Sequence, residues 1–302
     1  MARSILSRYL DPEVLARISG RRLEPRGLVY GNLAGSHRSP LSGFAVEFMG
    51  HREYVPGDEP KHIDWRVYFN RRRVVVKQYA METNFVCHLL LDVSASMRYG
   101  DGPTNKLNYA SQMACALAHA IIRQSDKVSL ALLDDGIRGY VPPNNSFAQI
   151  VRMTEALDNV APQGKTDLGA AVRELAARFG RREIVMLFSD CFTDPKSLEE
   201  SLQQLRYNRH EVVLFHVLHD DERSFPFEGM VKFVGLEGTE ELLTRPEDLR
   251  RAYLKALAAY LSELEDICRR NRVELVPVDT GANMGDTLAD YLSRREQIHH
   301  IR

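Results

Sequence analysis

The sequence predicts an α/β protein in which a doubly wound, mostly parallel sheet is joined by a small β-rich second module. Two observations carry this prediction. After Glu82, short apolar runs alternate with amphipathic stretches of helical period. Between Leu23 and Tyr79, glycines and prolines separate short β-prone pieces such as residues 74–76. The chain has 302 residues, 44% of them hydrophobic, which is enough for a sizeable core.

The first element that we expect is a short helix near the start of the chain. Asp11 can cap it, Pro12 suits its first position, and Gly20 can end the apolar run 14–18. Residues 1–22 are therefore predicted to form an N-terminal docking helix.

Apolar runs predict the strands of the sheet, and the run 86–91 has the continuous hydrophobicity of a strand covered on both faces. The other predicted strands are 128–133, 137–141, 184–188, 212–218 and 273–278. Apolar stripes at helical spacing predict helices at 106–123, 146–157, 168–179, 197–206, 246–270 and 287–294. Because strands alternate with helices, we expect parallel pairing, except at the hairpin turn 134–136.

The domain boundaries follow from the same patterns. We expect a β-rich module at residues 23–81 and a sheet domain formed by residues 82–219 and 246–302. The segment 220–245 interrupts the alternation of strands and helices, and it contains the β-prone piece 230–234. We expect this segment to complete the β-rich module.

Charge and composition exclude several classes of protein. The 40 Lys and Arg residues balance 41 Asp and Glu residues, giving a formal charge of −1, which argues against a nucleic-acid binder. No apolar run approaches the ~20 residues of a membrane helix, and the N-terminus lacks the apolar core of a secretion signal. We therefore expect a cytoplasmic protein without a membrane span. The 4 scattered cysteines predict reduced thiols and no zinc site.

Oxygen-bearing side chains follow two of the predicted strands. Asp92 ends the first strand and opens a loop in which Ser94 and Ser96 alternate with apolar residues, and Asp190 ends a later strand. The loop between these strands places Thr166 near the start of a helix. Because the carboxyl ends of neighbouring parallel strands converge, we expect these groups to lie together. Two carboxylates and three hydroxyls suit Mg²⁺ or Mn²⁺ and disfavour zinc.

This pattern resembles the metal-ion-dependent adhesion site of von Willebrand factor type A domains, which have a Rossmann-like fold. The resemblance implies that the serines, and the threonine directly or through water, contact the metal, while the aspartates hold ordered waters. It also implies that an Asp or Glu of a partner protein fills the vacant coordination position. The residues that match the five family positions are Asp92, Ser94, Ser96, Thr166 and Asp190.

Motifs outside this loop resemble a narrower group, the bacterial domain-of-unknown-function family fifty-eight. The motifs that carry this resemblance are residues 43–48, 52–58 and 63–65. The similarity to the family extends over about residues 37–295. Family members carry a type A domain and are typically encoded beside AAA+ ATPases of the MoxR class. The resemblance therefore implies a MoxR-type ATPase or its client as the partner. The run Asn-Arg-Arg-Arg at 70–73 departs from the family pattern.

Simpler interpretations exist for each motif. The aspartate and serines after the first strand could form a turn that caps the next helix, although Thr166 and Asp190 in register favour a metal site. Residues 52–65 are better explained by buried Arg–carboxylate pairing and a glycine turn than by a ligand site. Arg66 and Arg71 to Arg73 lie near aromatic residues, a mixture also found in sites for single-stranded nucleic acid. Because the chain as a whole is neutral, we expect a solvated β-turn or a contact with an acidic partner instead.

We therefore expect a non-enzymatic, metal-dependent protein-binding module. The alternative is a magnesium-dependent phosphohydrolase, because aspartates at parallel strand ends also serve phosphoryl transfer. Haloacid-dehalogenase-like phosphatases begin with Asp-x-Asp, whereas Ser94 stands at the position of the second Asp here and leaves the acid/base role without a residue. A third possibility, a purely structural scaffold, predicts no thermal shift with magnesium.

Overall fold

A computed structural model describes residues 5–26, 34–39, 47–160, 168–236 and 241–300. Within these residues the helices are α1 Ile5–Tyr9, α2 Pro12–Arg17, α3 Trp65–Arg71, α4 Lys106–Arg123, α5 Ala148–Asp158, α6 Leu168–Ala176, α7 Pro195–Tyr207, α8 Asp220–Ser224, α9 Pro246–Arg270 and α10 Met284–His300. The strands are β1 Ala34–Ser39, β2 Glu47–Glu53, β3 Val75–Thr83, β4 Val86–Asp92, β5 Lys127–Leu133, β6 Ile137–Asn144, β7 Ile184–Ser189, β8 Glu211–Leu218, β9 Val231–Val234, β10 Glu241–Thr244 and β11 Glu274–Asp279.

The chain divides into two compact units. The larger contains Met1–Arg26 and Val86–Arg302, and the smaller is Gly27–Phe85. The N-terminal segment belongs to the larger unit because it is bonded to α10: the Arg22 amide donates to Glu296, and the Arg295 guanidinium donates to the Glu24 carbonyl.

The larger unit is built on a six-stranded sheet with the order β11-β8-β7-β4-β5-β6. All neighbouring strands are parallel except β5 and β6, which form the predicted antiparallel hairpin. The chain adds β5 and β6 on one side of β4 and then adds β7, β8 and β11 on the other side. The strand order therefore reverses between β4 and β7, and their carboxyl ends open a crevice there. An α/β fold with a mostly parallel sheet is confirmed.

Helices cover both faces of this sheet. On one face, Leu90 and Leu187 share a buried apolar cluster with residues of α6, α7 and α9. On the other face, Phe215 of β8 contacts Tyr291 of α10, with ring centroids 5.0 Å apart. Because both faces are covered, every residue of β4 after Val86 is buried, which explains the continuous apolar run in the sequence.

Local capping explains where the helices begin. The predicted bounds of α4 and α9 are confirmed, and the Asn105 carboxamide caps α4 by accepting from the Asn108 amide (3.0 Å). The helix α10 begins at Met284, earlier than the predicted residue 287. The reason is that Asn283 accepts from the Asp286 amide (3.1 Å) and satisfies a free donor of the first turn.

The smaller unit contains a three-stranded antiparallel sheet with the order β1-β3-β2, together with α3. The expectation of a β-turn around Arg66 and Arg71 is wrong, because these residues lie in α3. Asp64 starts this helix by accepting from the Arg66 and Val67 amides (3.0 and 3.3 Å), and Arg72 ends it in the left-handed conformation at φ 54°.

Segment 220–245 groups with the larger unit, whereas the sequence pattern grouped it with the β-rich module. Its strands β9 and β10 pair antiparallel as a two-stranded sheet. Phe225 stacks on Tyr253 of α9, with ring centroids 4.5 Å apart, and on Phe233 of β9 at 5.6 Å. These aromatic contacts fix the hairpin on α9, which explains the difference.

Candidate metal centre

The two strand-end aspartates meet at the crevice between β4 and β7. Asp92 is the last residue of β4 and 2% exposed, and Asp190 directly follows β7 and is 1% exposed. Ser189 joins the two strand ends, because its hydroxyl donates to Asp92 Oδ2 (2.5 Å) and accepts from the Cys191 amide (2.8 Å). Ser189 was not among the residues predicted for the site, although its place before Asp190 at a strand end was a usable signal.

The loop after β4 brings the two serines together. Asp92 Oδ1 accepts from the Ser94 amide (2.9 Å), which folds the chain back so that the Ser94 and Ser96 hydroxyl oxygens lie 3.0 Å apart. The helix α4 is capped by Asn105, so the aspartate and serines do not cap it. The capping alternative therefore does not explain why these three side chains converge.

The fifth predicted ligand, Thr166, lies outside the described residues, as do the other residues of 161–167. The structure therefore places four of the five predicted residues, and all four lie at one end of the β4–β7 crevice.

Burial disfavours the ionised form of the Asp92 carboxyl. Removal from water, followed by the nearby charge of Asp190, raises the pKa of Asp92 to about 7. Hydrogen bonds from Ser189 and Ser94 oppose this shift. Within the described ranges no basic side chain forms an ion pair with Asp92. A bound cation beside this carboxylate would offset its desolvation.

A lysine that the sequence analysis missed lies beside the other aspartate. Lys106, at the start of α4, is 0% exposed, and its ammonium donates to Asp190 Oδ2 (2.8 Å) and Glu222 Oε1 (2.7 Å). The nitrogen also lies 5.4 Å from the centroid of the Phe192 ring. Nothing in its sequence context distinguishes Lys106 from an ordinary lysine at the exposed start of a helix.

Two side chains donate hydrogen bonds to the backbone carbonyls of Asp190 and Cys191. His216 Nε2 donates to the Asp190 carbonyl (3.0 Å), and the Tyr260 hydroxyl donates to the Cys191 carbonyl (2.7 Å). Burial lowers the pKa of His216, which favours its neutral form. Cys191 has φ 57°, so the chain turns sharply here and directs the Asp190 side chain towards Lys106.

The donors present fit a hard divalent cation. Adjacent ligands around Mg²⁺ lie about 2.9 Å apart when each bond is 2.0–2.1 Å long, and the two serine oxygens are 3.0 Å apart. Across the residues that can be described, no group of three or more His, Cys, Asp or Glu side chains could hold a metal. A metal here would therefore depend on the hydroxyls of Ser94 and Ser96 and on water, with Asp92 and Asp190 supplying negative charge.

Residues 52–65 make structural contacts within the smaller unit. Arg52 donates to Asp58 (2.8 Å), and Asp58 accepts from the Val55 amide (2.9 Å). The arginine is 41% exposed, so this pair is at the surface and the expected buried pairing is wrong. Asp64 caps α3 and bonds to His51 (2.8 Å). The motif therefore shapes the turns around α3.

In the described part of the chain, no helix is both long and apolar enough to cross a membrane.

Among solved structures, the chain is similar to the hypothetical protein BatB of Bacteroides thetaiotaomicron, with 14% identity, a TM-score of 0.48, and coverage of 71% of this chain and 100% of that chain. It is also similar to an aerotolerance-related membrane protein of Bacteroides fragilis, with 16% identity, a TM-score of 0.49, and coverage of 72% and 100%.

Curated relatives cover nearly the whole chain. The uncharacterized proteins Mb1516 of Mycobacterium bovis and Rv1480 of Mycobacterium tuberculosis are each 24% identical to it over 290 residues, which is 94% of this chain and 91% of theirs. The family model described as "Protein of unknown function DUF58" matches residues 50–262. The chain therefore belongs to the DUF58 family.

Proposed function

We propose that this chain is a metal-dependent protein-binding module with a von Willebrand factor type A fold. The residues that would hold Mg²⁺ or Mn²⁺ are Asp92, Ser94, Ser96, Thr166 and Asp190. When bound, the metal supplies a positive centre that can accept a carboxylate oxygen from an Asp or Glu of a partner protein. The observation that carries this proposal is the meeting of two buried carboxylates and two facing hydroxyls at the point where the strand order reverses.

The local charges favour an acidic partner once the cation is present. The formal charges of the buried Lys106 and the partly buried Glu222 cancel, so the ionised Asp92 and Asp190 leave a charge of −2 at the site. A divalent ion neutralises this charge, and a third carboxylate can then approach without net repulsion. Without the ion, an approaching carboxylate would meet the buried carboxylate of Asp190 and, once it is ionised, that of Asp92 as well.

The partner class in this proposal is a MoxR-type AAA+ ATPase or its client. Membership of DUF58 supports it, because the resemblance drawn from the sequence motifs associates this family with such ATPases. The cytoplasmic location stays a prediction from the sequence.

A phosphohydrolase would need a proton donor beside the nucleophilic aspartate. The side chain two residues after Asp92 is Ser94, a poor general acid, and its hydroxyl already faces Ser96 at 3.0 Å. The proposed module is therefore non-enzymatic. Turnover of common phosphoesters by the parent chain, lost in Asp92→Ala, would favour the hydrolase instead.

Magnesium-dependent capture tests the proposal. The immobilised chain is incubated with a purified MoxR-type ATPase from the same genome, in magnesium or in chelator. We expect binding in magnesium, loss of binding in chelator, and loss in Asp92→Ala. The control is Asp135→Ala, which removes an exposed carboxylate from the β5–β6 turn and should bind like the parent. Equal ATPase binding by the parent and Asp92→Ala, with or without chelator, would refute metal-dependent capture.

A further inference from the structure

A fully buried lysine, Lys106, lies beside the proposed metal site. Lysine is almost never fully buried unless it is paired, and Lys106 is 0% exposed. Its ammonium has two carboxylate partners, Asp190 at 2.8 Å and Glu222 at 2.7 Å. One partner is a proposed metal-site residue, and the other belongs to a different element, α8. The lysine therefore connects the site to that element.

The helix α8 is a short surface element fixed by specific polar contacts. It has five residues, none of them buried. The Glu222 side chain accepts from the His219 amide (2.8 Å), closing a capping box, and the Glu222 carbonyl accepts from the Tyr253 hydroxyl (2.8 Å). These contacts hold the carboxylate against the Lys106 ammonium. A displacement of α8 would remove one of the two anions that balance the buried cation.

We propose that Lys106 is an internal counter-cation that sets the metal affinity of the site and couples it to α8 through Glu222. This inference rests on the proposed function, because it concerns regulation of the same site. The Lys106 ammonium and a divalent cation are both positive, so they repel each other. Both are attracted by the carboxylate of Asp190, so they also compete for it. Glu222 offsets the ammonium charge and thereby permits the cation to bind. Linkage requires that metal binding, in turn, favours the α8 position in which Glu222 contacts Lys106.

Neutral substitutions of Lys106 and Glu222 change the formal charge of the site in opposite directions. At pH 8, the four groups Asp92, Asp190, Glu222 and Lys106 carry a formal charge of −2. Lys106→Met changes this charge to −3, Glu222→Gln changes it to −1, and the double variant restores −2. The affinity order expected from these charges is Lys106→Met tightest, the parent and the double variant intermediate, and Glu222→Gln weakest.

Titration calorimetry with Mn²⁺ at pH 8 measures this order. We expect Glu222→Gln to weaken Mn²⁺ binding about tenfold or more and Lys106→Met to tighten it about tenfold or more. Each variant changes the charge within a few ångströms of the ion by one unit, which has an effect of this size even with strong screening. The double variant should lie within about threefold of the parent. The matched control is Lys232→Met, which breaks the exposed Lys232–Glu241 pair and should bind Mn²⁺ like the parent.

The outcomes separate the two proposals. If the parent binds Mn²⁺ and Glu222→Gln binds it equally well, the role of Lys106 is refuted while the metal site stands. If no protein binds Mn²⁺, the metal site and the inference both fall. Should Lys106→Met fail to fold, Glu222→Gln and the double variant still give the comparison.

Hydrogen exchange supplies a second readout of the coupling. Mn²⁺ should slow exchange of the α8 amides in the parent and leave their exchange unchanged in the double variant. Unchanged exchange in the parent would refute the coupling to α8.

Discussion

Replacing Asp92 by asparagine tests whether a buried carboxylate destabilises the metal-free site. Asparagine keeps the shape of the side chain, and its carbonyl can still accept from the Ser94 amide. Burial and the charge of Asp190 raise the pKa of Asp92 to about 7. The folded state therefore prefers the protonated carboxyl, and the associated stability is present at low pH and lost as pH rises through about 7. By linkage, this rise in pKa corresponds to a loss on the order of a few kcal/mol in total, which accumulates between the ordinary carboxyl pKa and about 7.

Urea unfolding in chelator at pH 5 and pH 8 measures this effect. Relative to Asp92→Asn, the parent should lose about 2–3 kcal/mol of unfolding free energy between the two pH values, because the unfolded carboxyl is already ionised at pH 5 while the folded one ionises near pH 7. Added magnesium at pH 8 should stabilise the parent and leave Asp92→Asn unchanged. Asp135→Asn, an exposed carboxylate of the β5–β6 turn, serves as the control and should follow the parent.

Parallel pH dependence of the parent and Asp92→Asn in chelator would contradict this reasoning. The same conclusion would follow if magnesium stabilised both proteins equally, because the ion would then bind away from Asp92.

Three further substitutions probe the packing and hydrogen bonds that support the site and the fold. Ser189→Ala removes the hydroxyl between β4 and β7 and should lower the unfolding free energy by about 1–3 kcal/mol in urea. Asp64→Ala removes the cap of α3 and should cost about 1 kcal/mol, measured as lost protection of the α3 amides in hydrogen exchange. Gly169→Ala places a Cβ in steric overlap with the Ser197 hydroxyl and backbone and should lower the melting temperature through a cost of about 1–3 kcal/mol. Gly136→Ala, with nothing within 4 Å, should leave the melting temperature unchanged.

Hydrophobic pattern was sufficient to predict the strands of the six-stranded sheet and the helices α4 to α7, α9 and α10. The stripe of α4 and the continuous run of β4 are direct consequences of a sheet covered on both faces, so the predicted bounds match closely. Asp92 and Asp190 could be placed together because parallel strands end at one edge of the sheet. The approach of the two serine hydroxyls depends on a backbone turn at Asp92, which the alternating motif already indicated.

Features that depend on tertiary contacts could not be predicted. The helix α3 has only seven residues, with exposed Trp65 and Phe69, so it has no apolar stripe to distinguish it from a turn. The hairpin β9–β10 has the composition of the β-rich module, and only the stacking of Phe225 on Tyr253 shows that it belongs with α9. Lys106 is buried because Glu222, far along the chain, reaches its ammonium.

The central claim is that a divalent cation binds where the Asp92 loop meets Asp190. Anomalous diffraction from crystals soaked in Mn²⁺ tests it most directly. We expect a single strong peak within bonding distance of both the Ser94 and Ser96 hydroxyl oxygens, and no such peak in crystals of Asp92→Asn. A soaked parent crystal without density at these oxygens, with Lys106 still bonded to Asp190, would contradict the account.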